Sequence, residues 1–163
     1  MSDQPQQAPE EKQPEAPLEA GLDRPRAGLL FLTTMGAILT ADLSTKYATF
    51  KFLGASIFTA PDGTPAVTAS DAYPLFPGLA LEAALNLGAF NGWFAQMPWL
   101  LIGISALAFP TCAYVVLKAP HRSISLVLSL AFIASGALGN LYDRLLYGGV
   151  RDFIRCSIMI GEQ

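Results

Sequence analysis

Three apolar stretches of the chain mark candidate bilayer spans, two of them free of charge over their full length, and polar residues gather at their ends. The first runs from Ala27 to Ala41, uncharged between Arg26 and Asp42. Continued through Asp42-Leu43-Ser44-Thr45-Lys46-Tyr47 it reaches the roughly 20 residues a span requires, which predicts a helix over about 27–47. The second is Pro98 to Leu117, inside a region that carries no charge between Glu82 and Lys118. It predicts a helix over 98–117, with Pro110 as the place for a kink. The third, Ser123 to Tyr142, closes on Asp143-Arg144 and predicts a helix over about 123–143. Lys118, Ala119, Pro120, His121 and Arg122 make a tight basic loop between the second and third. Within 48–97, Asp62-Gly63 and Phe76-Pro77-Gly78 are turn signals and point to a small β element. No segment repeats at a fixed period.

The first 26 residues break this pattern. They are rich in Pro, Gln, Glu and Ala, and Pro5, Pro9, Pro14, Pro17 and Pro25 oppose helix there. So little apolar area cannot offset chain entropy, and residues 1–26 are expected to be a disordered cytoplasmic tail ahead of a membrane domain at 27–163. An acidic, proline-rich start is not the basic n-region of a secretory signal.

Composition agrees with the pattern. The chain is 52% hydrophobic and 14% charged, where soluble domains carry about 25% charged residues. Residues 1–26 hold six acids and three bases, so the net charge of −3 belongs to the tail. No basic stripe with interleaved aromatics suggests nucleic acid. Two cysteines, Cys112 and Cys156, and one histidine, His121, are too few for a disulfide framework or a metal site; no metal and no cofactor are expected. Arg24, Arg26, Lys118 and Arg122 flank the ends that the Lys/Arg bias places in the cytoplasm. Lys46, Lys51 and Arg144 then lie outside, against the bias.

Four constellations fall toward that outer side. Asp42 and Lys46 sit four apart and share a helix face. Asn86-Leu87-Gly88-Ala89-Phe90 reads as a turn just before the second span. In Gly136-Ala137-Leu138-Gly139-Asn140-Leu141-Tyr142-Asp143-Arg144 the two glycines are expected to admit another backbone. There Asn140, Asp143 and Arg144 share a face, and such a polar group in a span is a functional site by default. In Gly148-Gly149-Val150-Arg151-Asp152-Phe153-Ile154 the glycines end the helix and an alternating, extended segment follows. Asp152 stands among Val150, Phe153 and Ile154, so its carboxyl is expected to be partly desolvated and its pKa raised, as suits a general acid or base.

Together and in this order, these motifs resemble the lipoprotein signal peptidase family, also called signal peptidase II or prolipoprotein signal peptidase. The resemblance covers roughly residues 27–155 and rests chiefly on the Gly136–Arg144 run followed by Gly148-x-Val150-x-Asp152-Phe153. It implies an α-helical integral membrane protein, a four-helix bundle of which three transmembrane helices are present, with a small extracytoplasmic β-cradle. It implies an aspartic endopeptidase of the bacterial cytoplasmic (inner) membrane, N-terminus in the cytoplasm and active site outside. Its partners would be membrane lipid and a prolipoprotein substrate bearing a diacylglyceryl cysteine. By the same resemblance Asp152 is catalytic, while Asn86, Asn140, Arg144, Asp42 and Lys46 bind substrate or support the site. Asp143 is expected to be structural and paired with a base.

The sequence also departs from the family. Arg151 replaces the usual apolar residue before Asp152, and the Asn86 motif is one residue short before Phe90. The second catalytic aspartate of the family follows in a Phe-Asn-x-Ala-Asp motif at the start of a fourth helix, and no such motif precedes Gln163. The expectation is therefore a signal peptidase whose 163 residues alone lack turnover; the alternative is a non-catalytic three-helix paralogue that binds lipopeptide or has a structural role.

Overall fold

The structure is a computed structural model that describes residues 21–68, 71–89, 94–120 and 122–157. The expected tail up to residue 20, His121, Phe90 and Glu162 lie outside the described residues.

Helix α1 spans Arg24–Phe52, further at both ends than the apolar run alone predicts. At its start Asp23 is the N-cap, its carboxylate accepting the Arg26 N–H at 2.9 Å. Pro25 falls in the first turn, where its missing N–H has no helical partner to lose, so it starts the helix rather than breaking it. Strands β1 (Ile57–Thr59) and β2 (Pro65–Val67) form a hairpin closed by the turn at Asp62-Gly63. Strands β3 (Tyr73–Phe76), β4 (Leu79–Asn86) and, later in the chain, β5 (Val150–Cys156) form a second antiparallel sheet in the order β3-β4-β5. Between β4 and β5 run α2 (Pro98–Lys118) and α3 (Ile124–Tyr147). Helix α2 continues through Pro110.

All three helices are long and apolar enough to cross a membrane. Their 29, 21 and 24 residues compare with the roughly 20 that a hydrocarbon core about 30 Å thick requires. Many large apolar side chains stay exposed along them, including Leu32, Ile104, Leu107 and Phe132. A multi-pass membrane protein follows, its outward faces solvated by lipid.

Helix α3 lies between α1 and α2. The crossing is filled by Ala27, Phe31, Cys112, Val116, Val127, Ala131 and Ala134, small or compact residues that bring helices close where lipid removes the hydrophobic drive. The Leu22 N–H donates to the Arg122 carbonyl at 2.8 Å, so α1 starts beside the α2–α3 loop. Arg122 also caps α2, giving Nε to the Val116 carbonyl and Nη2 to that of Leu117, both at 2.9 Å. Helices α1 and α3 are therefore parallel, and their C-terminal ends meet beside the two sheets. Gly148 ends α3 with φ 74°, and its N–H returns to the Arg144 carbonyl; the left-handed conformation there favours glycine. The chain turns at once into β5.

Candidate active site

At the end where α1 and α3 meet the sheets, four charged side chains form a chain of alternating sign. Lys46 Nζ lies 3.0 Å from Asp42 Oδ2 and 3.2 Å from Asp143 Oδ2. Asp143 is fully enclosed. Its Oδ1 accepts from Arg151 Nε at 3.0 Å and Nη2 at 2.7 Å, and its Oδ2 accepts the Arg151 backbone N–H at 3.1 Å. The Arg151 guanidinium lies 4.4 Å from the centre of the Tyr147 ring, a cation–π contact. Taking such ions out of water costs several kcal/mol each unless their hydrogen bonds are complete. Here two acids and two bases balance, and the Asp143 carboxylate has four donors around it.

The geometry corrects one expectation about the glycines of α3. Gly136 has open space where a side chain would begin. At Gly139 a Cβ would collide with Asp42 Oδ2. The small residue makes room for the Asp42 carboxylate, not for another backbone.

Asn140 and Arg144, one helical turn apart, face a different direction from Asp143. Arg144 Nη2 donates to the Gly88 carbonyl at 3.0 Å, and Nη1 to the Asn140 carbonyl at 3.4 Å. Its Nε is buried and has no partner among the described residues. Asn86 does not sit just before α2. It closes β4, opposite Val150, well before α2 begins. Its Oδ1 accepts the Gly88 N–H at 3.0 Å and its Nδ2 donates to the Ala89 carbonyl at 3.1 Å. That turn presents the Gly88 carbonyl to Arg144.

Asp152 follows Arg151 on β5, paired with Ala84 of β4. Side chains alternate along a strand, so Arg151 turns inward to Asp143 and Asp152 turns out. Asp152 is exposed, contrary to the desolvation expected from its apolar neighbours in sequence. Phe153 points to the other face, while Val150 and Ile154, two positions away, share the face of Asp152 without covering its carboxyl.

Two cavities meet at Asp152 and Asn140, which line both. One, about 300 Å³, is bounded by Asp42, Lys46 and Phe153. The other, about 520 Å³, is bounded by Asn86, Gly88 and Arg144 on one side and by Leu101, Ile104 and Ser105 of α2 on the other. Six of the seven residues singled out from the sequence thus line one or both cavities, and Asp143 is enclosed behind them. The sequence reading passed over Arg151 as a mere departure. Its alternation with Asp152 in an extended segment was the available signal. The apolar wall from α2 had no signal beyond the span itself. Among the described residues no three His, Cys, Asp or Glu side chains come together as metal ligands would. Chemically, the arrangement offers one open carboxylate between a polar cavity and a partly apolar one, with the cations Lys46 and Arg144 close by.

Residues 34–162 match the family model described as Signal peptidase (SPase) II. The chain is similar to the lipoprotein signal peptidase of Sulfurihydrogenibium sp. (strain YO3AOP1), 36% identical over 133 residues, covering 77% of this chain and 72% of the relative. It is 35% identical to that of Methylobacterium sp. (strain 4-46) over 131 residues, covering 77% and 70%. Among solved structures it resembles a bacterial membrane enzyme determined by the in meso method at 2.3 Å resolution, with TM-score 0.64 and 20% identity, over 87% of this chain and 76% of that one. The structural likeness speaks for the fold alone.

Proposed function

The chain belongs to the signal peptidase II family, and from that premise we propose that it is an aspartic endopeptidase that removes the signal peptide from diacylglyceryl-modified bacterial prolipoproteins, with Asp152 as a catalytic carboxylate. The observation that carries the assignment is the contrast among the three acids at this end. Asp143 is enclosed by four donors and Asp42 is bound to Lys46, while Asp152 opens onto both cavities.

In the ionised form Asp152 takes a proton from a water molecule as the water oxygen attacks the scissile carbonyl carbon. A second carboxyl, protonated because two close carboxyls share one proton, donates to the carbonyl oxygen. Collapse of the tetrahedral intermediate breaks the C–N bond, and the leaving amine departs with a proton. Among the described residues Asp152 is the one carboxyl lining either cavity that is not bound to a base. Asn140 and Arg144 are positioned to hold the peptide. The apolar wall of α2 suits the residues of a signal peptide, and a site at the helix ends keeps a lipid-bearing cysteine in the bilayer while its peptide bond meets water.

Orientation follows the distribution of bases. Arg24, Lys118 and Arg122 stand at the end away from the site without an acid within salt-bridge distance among the described residues. At the site end Lys46, Arg151 and Arg155 each pair with an acid, while Lys51 and Arg144 do not among the described residues. The bases at the start of α1 and in the short α2–α3 loop favour a cytoplasmic N-terminus and an extracytoplasmic site in the inner membrane.

The test is processing of a prolipoprotein in bacteria depleted of their own signal peptidase II and expressing the gene for this chain, read as the mass of the product. Cleavage of the diacylglyceryl-modified form and not of the unmodified form is expected. Cleavage of both equally would remove the lipid from the proposed specificity. No cleavage of either would remove the activity.

A further inference from the structure

A third cavity, of about 630 Å³, lies on the side of Arg151 and Tyr147 away from Asp152 and is not lined by any residue assigned above to substrate. Its floor and wall include Phe50, Ile57 and Phe58, and its polar lining includes Lys51, Arg151, Ser56 and Thr59 with the hydroxyl-bearing Tyr47 and Tyr147, and no acid. Lys51 has no ion pair among the described residues. Arg151 spends Nε and Nη2 on Asp143, and its Nη1 makes no hydrogen bond among the described residues. The lining is thus built for an anion.

Its place in the bilayer says which anion. Lys51 is one residue from the end of α1, and Arg151 lies just past the end of α3, so both stand where the spans leave the hydrocarbon. A smaller cavity of about 260 Å³ shares Tyr47, Tyr147 and Arg151 and continues between α1 and α3 to Leu43, Ser44 and Tyr142. From Lys51 to Leu43 is two helical turns, about 12 Å into the span. A cationic chamber at the headgroup level that continues along Leu43 and the rings of Tyr47, Tyr142 and Tyr147 has the shape of a lipid with a phosphate at its head. Lys51 carries an unpaired charge and Arg151, though bound to Asp143, keeps Nη1 free, so a headgroup of net negative charge is favoured over a zwitterion, whose ammonium would meet no acid in the lining.

We propose that this groove is a binding site for an anionic glycerophospholipid of the surrounding bilayer. The phosphate lies between Lys51 and the free edge of Arg151, and one acyl chain follows the α1–α3 seam past Tyr47. Nothing in the proposal requires peptide cleavage, so it stands or falls apart from the assignment of Asp152.

The experiment is a titration of the purified full chain in neutral detergent with phosphatidylglycerol, phosphatidylcholine or inorganic phosphate, read by native mass spectrometry as lipid bound per chain. One tightly held phosphatidylglycerol is expected, with roughly tenfold or greater weakening in both Lys51→Ala and Lys51→Glu, since one charge-assisted contact is lost. Lys51 is exposed and unpaired, so neither variant is expected to disturb folding; an unchanged unfolding midpoint checks this. Lys118→Ala, at the other end of the bundle, is expected to bind as the wild type does. Equal binding of phosphatidylcholine, displacement of the lipid by millimolar inorganic phosphate, or binding indifferent to both Lys51 substitutions would overturn the proposal.

Discussion

Asp143 receives three hydrogen bonds from Arg151 and a salt bridge from Lys46, and none of its surface is open. Removing its charge leaves the buried Arg151 without a carboxylate and Lys46 with Asp42 alone, and breaking a buried pair in this way costs about 3–5 kcal/mol. Asp143→Asn is therefore expected to lower stability by that order, measured by chemical unfolding in detergent micelles; a change below about 1 kcal/mol would mean that the charge chain does not hold the fold. Arg151→Lys keeps the charge but not the two-pronged contact, and an intermediate loss is expected. At this scale much was legible. The spacing of Asp42 and Lys46 put them in reach of each other, and the motif order separated Asp152 from Asp143. The exposure of Asp152 was not legible, because which way a strand residue points depends on pairing with β4, 64 or more positions earlier in the chain. The partner of Asp143 was hidden for the same reason.

Helix α3 carries two glycines three positions apart that look equivalent in sequence, and their neighbours separate them. Gly139→Ala drives a methyl group into the Asp42 carboxylate and is expected to cost roughly 1–3 kcal/mol. Gly136→Ala meets nothing within 4 Å and is expected to be neutral or stabilising by up to about 1 kcal/mol. Equal unfolding midpoints for the two variants would contradict the close approach of α1 at Gly139. In the β1–β2 hairpin, Asp62 Oδ1 accepts from the Thr64 hydroxyl at 2.7 Å and the Thr64 N–H at 2.9 Å. The hydroxyl first, and the amide with it, hold the carboxyl below its ordinary value of 3.8. A depressed carboxylate pKa contributes stability that is complete above 3.8 and lost as pH falls below it toward the folded value. Amide exchange at Thr64, corrected for its intrinsic pH dependence, is expected to keep its protection down to that point and lose it below; loss of protection already near pH 6 would contradict the turn. Asp62-Gly63 announced this turn in the sequence. The division of the strands into a separate hairpin and a three-stranded sheet was not announced, since β5 joins its sheet from beyond two helices.

Over the whole molecule the three spans were legible from length and lack of charge, because a bilayer sets a coarse and uniform requirement. Their ends were less so. Helix α1 runs on past Tyr47 to Phe52, carrying Lys51 out of the hydrocarbon, and starts at Arg24 because Pro25 suits a first turn. The proposed orientation makes a prediction with the two cysteines. Cys156 is exposed at the site end and Cys112 is buried in the helix crossing. A membrane-impermeant thiol reagent added outside intact cells is expected to label Cys156 and not Cys112; labelling only after permeabilisation would invert the orientation. All these levels meet in one claim, that a buried charge chain between α1, α3 and β5 holds the fold so that Asp152, the next residue, can do the chemistry. The measurement closest to that claim is prolipoprotein processing by the Asp152→Asn gene product, taken together with its unfolding midpoint. The expected result is a midpoint within the error of the wild type and no processing. Processing that survives the substitution, or a loss of stability as large as that of Asp143→Asn, would contradict it.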